Sequence, residues 1–358
     1  MICRTATNLI QLSGIEPRPV SITPPVTDTG LEKGQALLTR LPLILALLTF
    51  TSCAHTGMKT YESLMLPPAG QAPGDAPRVT ATWLGTAGIY LEDGTTGILI
   101  DPFVTRSPLL KVFLGMDLKT EPGAVEAWIR DLALKNVQGV LVSHSHYDHS
   151  MDAPEFARQL NAPLFGSEST ANIGRGAGLP EEQIRVVEPG RPVRMGDFEV
   201  TFLESRHGPA LFGRIPYPGE VLEPLVPPAS VGAYRLGETY SILIAHPCGR
   251  VLHHGSAGFK PGVLEKVQAE VVLLGIAGRQ DTEEYLHQVV DAVGARRVIP
   301  IHFDNFFRPL SKPARPLYRV KLQEFFRTAG KHRPALNVEA LPLCKPVSLF
   351  PTACGSPR

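Results

Sequence analysis

Short apolar runs alternate with segments of helical periodicity from residue 78 onward. The apolar runs predict strands at 79–84, 88–91, 97–100, 139–142, 163–165, 198–202, 240–244, 250–253, 271–274 and 298–300. The helical periodicity predicts helices at 123–134, 151–160, 261–267 and 282–293. Strands that alternate with helices in this way are typical of an α/β domain, in which sheets are covered by layers of helices.

The first 52 residues have a different pattern and predict a leader segment. The apolar run 41–50 follows Lys33 and Arg40. It is too short to cross a bilayer as a helix, but it fits the apolar part of a secretory signal. Residues 50–53 resemble a bacterial lipoprotein box in which Cys53 carries the lipid, although Phe50 stands where an aliphatic residue is usual. A buried helix, or a signal that is cleaved without lipidation, is the alternative.

Residues 53–77 are rich in glycine, proline and alanine. They predict a flexible tether between the leader and a domain that covers residues 78–358. Ala54, rather than an aspartate, follows Cys53. In a Gram-negative organism this resembles the default signal for the outer membrane. We therefore expect an exported protein on the periplasmic side that is held at the outer membrane by an N-terminal lipid anchor.

Composition narrows the class of protein. A chain of 358 residues with 43% hydrophobic residues can form one large domain or two small ones. The formal net charge of +1 gives no electrostatic reason to expect a nucleic-acid partner. The cysteines contain no C-x-x-C zinc pattern. An exported chain could pair Cys344 with Cys354, and unpaired thiols are the alternative.

The strongest chemical signal is the sequence SHSHYDHS at residues 143–150. Its three histidines and one carboxylate are His144, His146, Asp148 and His149. They follow the apolar run 139–142, so the end of a buried strand would fix their backbone. Neutral imidazole and carboxylate are ligands for zinc or a neighbouring first-row metal. A surface loop is the alternative, but one that would rarely place so many ligand types in this order.

Two further histidines follow apolar runs in the same way. His207 comes after the predicted strand at 198–202, and His302 comes after the one at 298–300. A metal needs more ligands than one hexapeptide can supply, and these histidines are candidates for the rest. The alternative for each is a loop histidine with ordinary hydrogen bonds.

The H-x-H-x-D-H sequence resembles the metal motif of the metallo-β-lactamase-fold hydrolases, and the similarity runs from about residue 78 to about residue 310. Residues 82–92 (TWLGTAGIYLE) and 97–103 (GILIDPF) resemble the branch that includes ascorbate-lactonase-like and N-acyl-phosphatidylethanolamine phospholipase-like proteins. Thr86 stands where that branch often has a histidine. The resemblance implies a four-layer αββα sandwich, in which two mixed β-sheets pack face to face between helices and the ligands lie along one edge.

The resemblance also assigns the ligands, since His207 and His302 match the family's remaining ligand positions. It implies two metal sites of three residues each, namely His144, His146 and His207 in the first and Asp148, His149 and His302 in the second. The implied cofactor is zinc, as one or two ions, and manganese and iron are alternatives. Asp148 would be the catalytic residue because it can orient the attacking water or accept its proton.

One position departs from the family pattern. Ser256 stands where the family has an aspartate that bridges the two metals, and a neutral hydroxyl is a poor ligand that cannot offset the repulsion between two divalent cations. The outcomes left open are a single metal, two metals without a protein bridge, or a replacement carboxylate such as Asp304. His254 could also turn inward. Hydrogen bonding to metal-bound histidines is the alternative for both and is favoured for Asp304. Asp101 is expected to orient a ligand histidine or to cap the following turn.

These features predict a hydrolase in which a metal-bound hydroxide attacks an ester, lactone or phosphodiester bond. The long connection 208–230 contains six prolines, directly follows His207, and predicts either a flap over the site or a surface insertion. Its apolar residues favour a lipid-like substrate. The alternative function is a binding lipoprotein that holds a metal without catalysis. The expected partners are a small-molecule or lipid-like substrate and, through the lipid anchor, the membrane.

Overall fold

The computed structural model describes residues 57–69, 79–210 and 213–350. The predicted leader, the predicted lipid-bearing Cys53, part of the predicted tether and Cys354 lie outside the described residues. Within the part of the chain that is described, no helix is long and apolar enough to cross a membrane.

Within the described residues, the ten predicted strands occur in the predicted order, together with six further strands and several helices that the apolar pattern did not predict. The strands are β1 (Thr80–Gly85), β2 (Gly88–Glu92), β3 (Gly97–Ile100), β4 (Asp117–Leu118), β5 (Val137–Leu141), β6 (Leu164–Gly166), β7 (Ile184–Val186), β8 (Pro192–Met195), β9 (Phe198–Glu204), β10 (Ala229–Ser230), β11 (Tyr240–His246), β12 (Gly249–His254), β13 (Val271–Gly275), β14 (Arg297–Ile301), β15 (Asn337–Val338) and β16 (Pro346–Ser348). The α-helices are α1 (Leu109–Phe113), α2 (Pro122–Asp131), α3 (Tyr147–Ser150), α4 (Ala153–Leu160), α5 (Glu168–Gly176), α6 (Thr282–Leu286) and α7 (Leu322–His332).

Two large mixed sheets make up the centre of the domain. The first has the order β16-β1-β2-β3-β5-β6-β7, and the second has the order β15-β14-β13-β12-β11-β9-β8. In the first sheet β3, β5, β6 and β7 run parallel, because helices connect them. In the second sheet β12, β13, β14 and β15 are parallel, with helices between β13 and β14 and between β14 and β15, and a longer connection with only a 3₁₀ turn between β12 and β13. The short strands β4 and β10 form a separate pair at the rim.

The largest buried cluster holds the two sheets together. It joins apolar side chains of both sheets, such as Ile89 and Phe202, to side chains of the outer helices, such as Leu286 and Phe325. A second cluster packs α2 and α4 on the outer face of the first sheet through Trp128. The resulting layers are helix, sheet, sheet and helix, which confirms the predicted αββα sandwich. Both sheets and these clusters lie within residues 57–350, so this part of the chain has its own core and can fold by itself.

All ten predicted strands are present, with bounds that shift by at most two residues. The helix predicted at 261–267 is wrong in extent, because only a 3₁₀ turn forms at Leu264–Lys266. Gly262 has a φ of +77°, which breaks a helix there. The helix predicted at 282–293 begins as α6 and continues as a π-helix over His287–Asp291.

Part of the segment predicted as a tether is ordered. A 3₁₀ helix forms at Met58–Leu64, and Tyr61 is buried with its ring 4.8 Å from that of Phe326. Cys248 is disulfide-bonded, whereas the sequence analysis considered a bond only for Cys344 and Cys354. Cys344 is buried in the second cluster.

Replacing a large side chain between the sheets should destabilise the domain strongly. Phe202 is 1% exposed, and we expect Phe202→Ala to lower the free energy of unfolding by about 3–5 kcal/mol, because lost burial and a residual cavity add. Urea unfolding of residues 57–358 measures the change. Val186→Ala on exposed β7 is the control and should cost about 0.5 kcal/mol or less. Equal losses in the two variants would contradict the assignment of this core.

Candidate metal centre

The candidate ligands meet at one edge of the sandwich because the strands that carry them end there. His144 and its neighbours follow β5, His207 follows β9, and His302 follows β14. The strand ends fix the backbone, and the turns beyond them direct the side chains toward one another. Three residues other than glycine at this edge have left-handed backbone, with φ of +51° at Thr86, +43° at Asp101 and +53° at His302. Such strain is typical of functional sites.

The motif itself folds as a tight turn that leads into the short helix α3. Ser150 donates its hydroxyl to the carbonyl oxygens of Ser145 and His146, at 2.9 and 3.0 Å. His146 is the residue before the helix, and Asp148 lies in its first turn. This local geometry turns the side chains of the motif inward, and all of the residues in α3 are buried.

The first trio consists of His144, His146 and His207. Their ligand atoms lie within 4.8 Å of one another. The ring centroids are 4.9 Å apart for His144 and His146, 4.9 Å for His144 and His207, and 4.7 Å for His146 and His207. Three imidazoles at nearly equal distances form a triangular face, which is the arrangement that three nitrogen ligands of a tetrahedral metal require.

Hydrogen bonds to carbonyl oxygens select the tautomer of two rings in this trio. His146 donates from Nε2 to the carbonyl oxygen of Pro216 at 2.9 Å, and His207 donates from Nδ1 to that of Gly208 at 2.6 Å. The other nitrogen of each ring therefore keeps its lone pair. His144 offers a buried Nε2 that has no hydrogen-bond partner. Such an orphaned buried nitrogen is costly unless a ligand such as a metal ion satisfies it.

The second trio consists of Asp148, His149 and His302, whose ligand atoms also lie within 4.8 Å of one another. The two Nε2 atoms of His149 and His302 are 3.1 Å apart. Oδ2 of Asp148 lies 3.3 Å from Nε2 of His302 and 3.8 Å from Nε2 of His149. The trios adjoin, since the rings of His144 and His149 are 3.8 Å apart.

Protonation favours metal binding at the first trio. Burial lowers the pKa of His146 to about 4 and that of His207 to about 3, and it holds the pKa of His144 well below its usual value. These three rings are therefore neutral at pH 7, as ligands must be. Both trios fit a divalent metal by ligand type and by burial.

The second trio differs because it contains and adjoins carboxylates. Burial alone would lower the pKa of His149, but the charges of Asp101 and Asp148 outweigh it and raise that pKa. Burial would raise the pKa of Asp148, but His149 and His302 lower it, so this carboxyl is ionised. A proton competes more strongly with metal at His149 than at the histidines of the first trio.

Asp101 lies behind the second trio. Its Oδ2 accepts a hydrogen bond from Nδ1 of His149 at 2.8 Å and one from the hydroxyl of Ser143 at 2.6 Å. Its Oδ1 accepts the backbone N–H of Ser143 at 2.7 Å. The carboxylate therefore orients a ligand ring and leaves Nε2 of His149 to face the site.

The remaining candidates lie outside both trios. Oδ1 of Asp304 accepts the backbone N–H of Thr86 at 2.7 Å, and its Oδ2 lies 3.2 Å from Nη1 of Arg106. Because the backbone N–H of His302 donates to the carbonyl oxygen of Thr86 at 2.8 Å, Asp304 supports the His302 turn from behind. His254 contacts Ser241, with 2.7 Å between Nδ1 and the hydroxyl oxygen.

Ser256 adjoins the first trio without being part of it. Its hydroxyl accepts the backbone N–H of Gly208, the residue after His207, at 3.3 Å. The bridging position of the family is therefore filled by a neutral group that supports a ligand loop.

Sequence reasoning missed two groups of the site. Ser143 is not among the predicted site residues. Its position directly before the motif is the one sequence feature that could have identified it. The carbonyl oxygen of Pro216 could not have been found, because a backbone group carries no residue-specific signal. It comes from the predicted flap 208–230, so this segment contacts the metal site at His146.

Comparisons with known proteins agree with this geometry. The family model described as a beta-lactamase superfamily domain matches residues 96–303. A UPF0173 metal-dependent hydrolase of Cupriavidus taiwanensis is 30% identical over 279 residues, with 73% of this chain and 87% of the relative covered. A protein of Shigella boydii named probable L-ascorbate-6-phosphate lactonase is 24% identical over 274 residues, with 67% of this chain and 74% of the relative covered.

A solved structure is similar as well. Igni18, a metallo hydrolase from Ignicoccus hospitalis, has 17% sequence identity and a TM-score of 0.47, with 76% of this chain and 98% of that chain covered. From the family match and the two buried trios, we conclude that the chain belongs to the β-lactamase superfamily and is a metal-dependent hydrolase.

Proposed function

We propose that this hydrolase cleaves an ester, lactone or phosphodiester bond in a molecule that carries an apolar group. The proposal rests on the aromatic surface beside each trio. The ring of Tyr217 lies 6.4 Å from that of His146, and the ring of Phe306 lies 5.6 Å from that of His302. These rings place apolar surface within reach of a substrate bound at the trios, and apolar groups bind to such surface.

The residues of the site supply the proton chemistry and the orientation. A divalent metal held by the trios would polarise the substrate oxygen and bring the pKa of a water molecule close to neutral. Asp148 is ionised, and its Oδ2 lies at the second trio, so it can orient the attacking water or accept its proton. Burial and the nearby charge of Asp148 raise the pKa of Tyr217. Its hydroxyl therefore keeps its proton and can donate a hydrogen bond to a developing negative charge.

We further propose that each trio holds one ion and that the ions are zinc. Three imidazoles with a free position suit zinc, and a trio of two imidazoles and one carboxylate suits zinc, manganese or iron. With Ser256 in place of the bridging aspartate, the nearest negative charges are those of Asp148 and Asp101. Both carboxyls have lowered pKa values despite their burial, so both charges are present at neutral pH to offset the two cations.

The type of bond that is cleaved and the group attached to it can be narrowed further. The relative named probable L-ascorbate-6-phosphate lactonase supports a ring ester as one substrate type. The aromatic surface in this chain supports a more apolar substituent than a sugar acid carries. Membership of a hydrolase family favours catalysis over the alternative of a binding lipoprotein.

We also propose a cellular location for this protein. The sequence around Cys53 supports lipidation and export to the periplasmic side of the outer membrane. A hydrolase held there would meet lipid-like molecules at the membrane where they reside.

Substrate preference provides the direct test. Along a series of p-nitrophenyl esters from acetyl to octanoyl, we expect kcat/KM to rise by about tenfold or more, because each buried methylene contributes roughly 0.8 kcal/mol. Bis(p-nitrophenyl) phosphate reports phosphodiester cleavage in the same assay, and chelator-treated protein is the control. Equal rates along the series would contradict the apolar preference, and no turnover of either substrate type would contradict the proposed chemistry.

Loss of the Asp148 carboxylate should abolish turnover and leave the first trio intact. We expect Asp148→Asn to reduce kcat by about 10²-fold or more, because the amide cannot accept the proton of the water. Metal content, measured alongside kcat, should retain the ion of the first trio. The control is Glu126→Gln, since Glu126 is exposed on α2 and lies in neither trio. Normal turnover in Asp148→Asn would exclude the assigned role.

A further inference from the structure

Exposed apolar side chains are concentrated in two segments of this protein. In residues 109–116 five large apolar side chains are at least 41% exposed, among them Leu110 at 61% and Leu114 at 53%. In residues 215–226 four are at least 39% exposed, including Leu222 at 79% and Val226 at 68%. Soluble monomers seldom expose such groups together, so a dense set of them indicates a contact surface.

The two segments belong to one surface. Leu118 of β4, just after the first segment, pairs with Ala229 of β10, just after the second. Val112 and Leu225, one from each segment, pack against the same buried cluster, which also contains Phe103 and Tyr147. We call the exposed apolar side chains of 109–116 and 215–226 the apolar rim.

The apolar rim adjoins the metal centre. Pro216 in the second segment accepts the hydrogen bond from His146, and Tyr147 of the shared cluster directly precedes Asp148. Whatever covers the rim therefore lies close to the two trios.

We propose that the apolar rim inserts into the surface of a phospholipid membrane. The short helix α1 has exposed apolar side chains at Leu109, Leu110 and Phe113. Such a helix suits the boundary between headgroups and acyl chains. The charged side chains in and directly after the two segments are of both signs and can remain at the level of the headgroups; they are Lys111, Asp117, Lys119, Glu220 and Glu223.

The chain that precedes the described structure points to the same occupant. Cys53, the predicted lipid-bearing residue, is four residues before Gly57, and four residues span at most about 14 Å. An anchor that short keeps the domain against the bilayer, where an apolar surface loses its contact with water. In this respect the inference rests on the proposed lipid anchor, and the rim itself would act on a membrane without it.

Binding to vesicles tests the inference without the anchor. Residues 57–358 are mixed with vesicles of phosphatidylethanolamine and a minor share of phosphatidylglycerol, and the bound fraction is measured by sedimentation. We expect the unmodified domain to sediment with the vesicles, and we expect Leu110→Asp and Leu222→Asp each to weaken the partitioning about tenfold. The matched control is Val186→Asp, because Val186 is 49% exposed on β7, outside both segments. This variant should bind like the unmodified domain.

Three results would overturn the inference. One is an unmodified domain that does not bind vesicles, and another is a Leu110→Asp variant that binds as well as the control. The third is a dimer that Leu110→Asp converts to a monomer in light scattering without vesicles, because the rim would then be an interface between copies of this chain. Hydrolysis of the p-nitrophenyl esters in solution is measured on the same samples. Its absence together with normal vesicle binding would remove the proposed chemistry and leave the rim assigned.

Discussion

The buried carboxylate of Asp101 is the group on which the metal edge of this protein depends. Its side chain has no exposed surface, and a buried charge is costly unless donors surround it. The donors are the backbone N–H and the hydroxyl of Ser143 and the Nδ1–H of His149. These hydrogen bonds join the end of β3 to the turn after β5, and they fix the tautomer of a ligand ring. The start of the motif and the direction of the His149 ring follow from this pairing.

The ligands differ in how firmly the fold holds them, and this difference has a consequence for function. His149 is oriented by a carboxylate in the rigid core, whereas His146 is oriented by the carbonyl oxygen of Pro216 in the connection 208–230. A segment that adjoins the site therefore also positions a ligand of the first trio. Movement of this segment during substrate entry would therefore change the orientation of His146 at the metal centre.

Much of this architecture was predictable, because its signals are local. Buried strands are continuous apolar runs, and each of the ten that were predicted is present. The candidate ligands were predicted from the motif and from the histidines that follow two strands, whereas their division into two trios was implied by the family resemblance. The elements that the sequence did not predict are those that depend on tertiary contacts. The edge strand β8 contains Pro192 and polar residues, and Met58–Leu64 is ordered because Tyr61 finds a partner in Phe326. The local sequence pattern predicts neither the strand β8 nor the order of this N-terminal segment.

Ser256 stands in place of the bridging aspartate, and this is the feature of the site that is hardest to reconcile with two metal ions. Two divalent cations at adjoining trios repel each other, and the ionised groups beside them are Asp148 and Asp101. The hydroxyl of Ser256 instead accepts the backbone N–H of Gly208 and so supports the loop that carries His207. A mononuclear centre on the three histidines would need no bridge at all, so the number of ions decides between two descriptions of the site.

Metal content per chain is the most direct test of the central claim. Residues 57–358 are purified without chelator, supplied with zinc, freed of loose metal and analysed by elemental analysis. We expect close to two equivalents of zinc per chain. One equivalent would contradict the two-ion site and assign the metal to His144, His146 and His207. A complete absence of bound metal would contradict the metal-dependent chemistry itself.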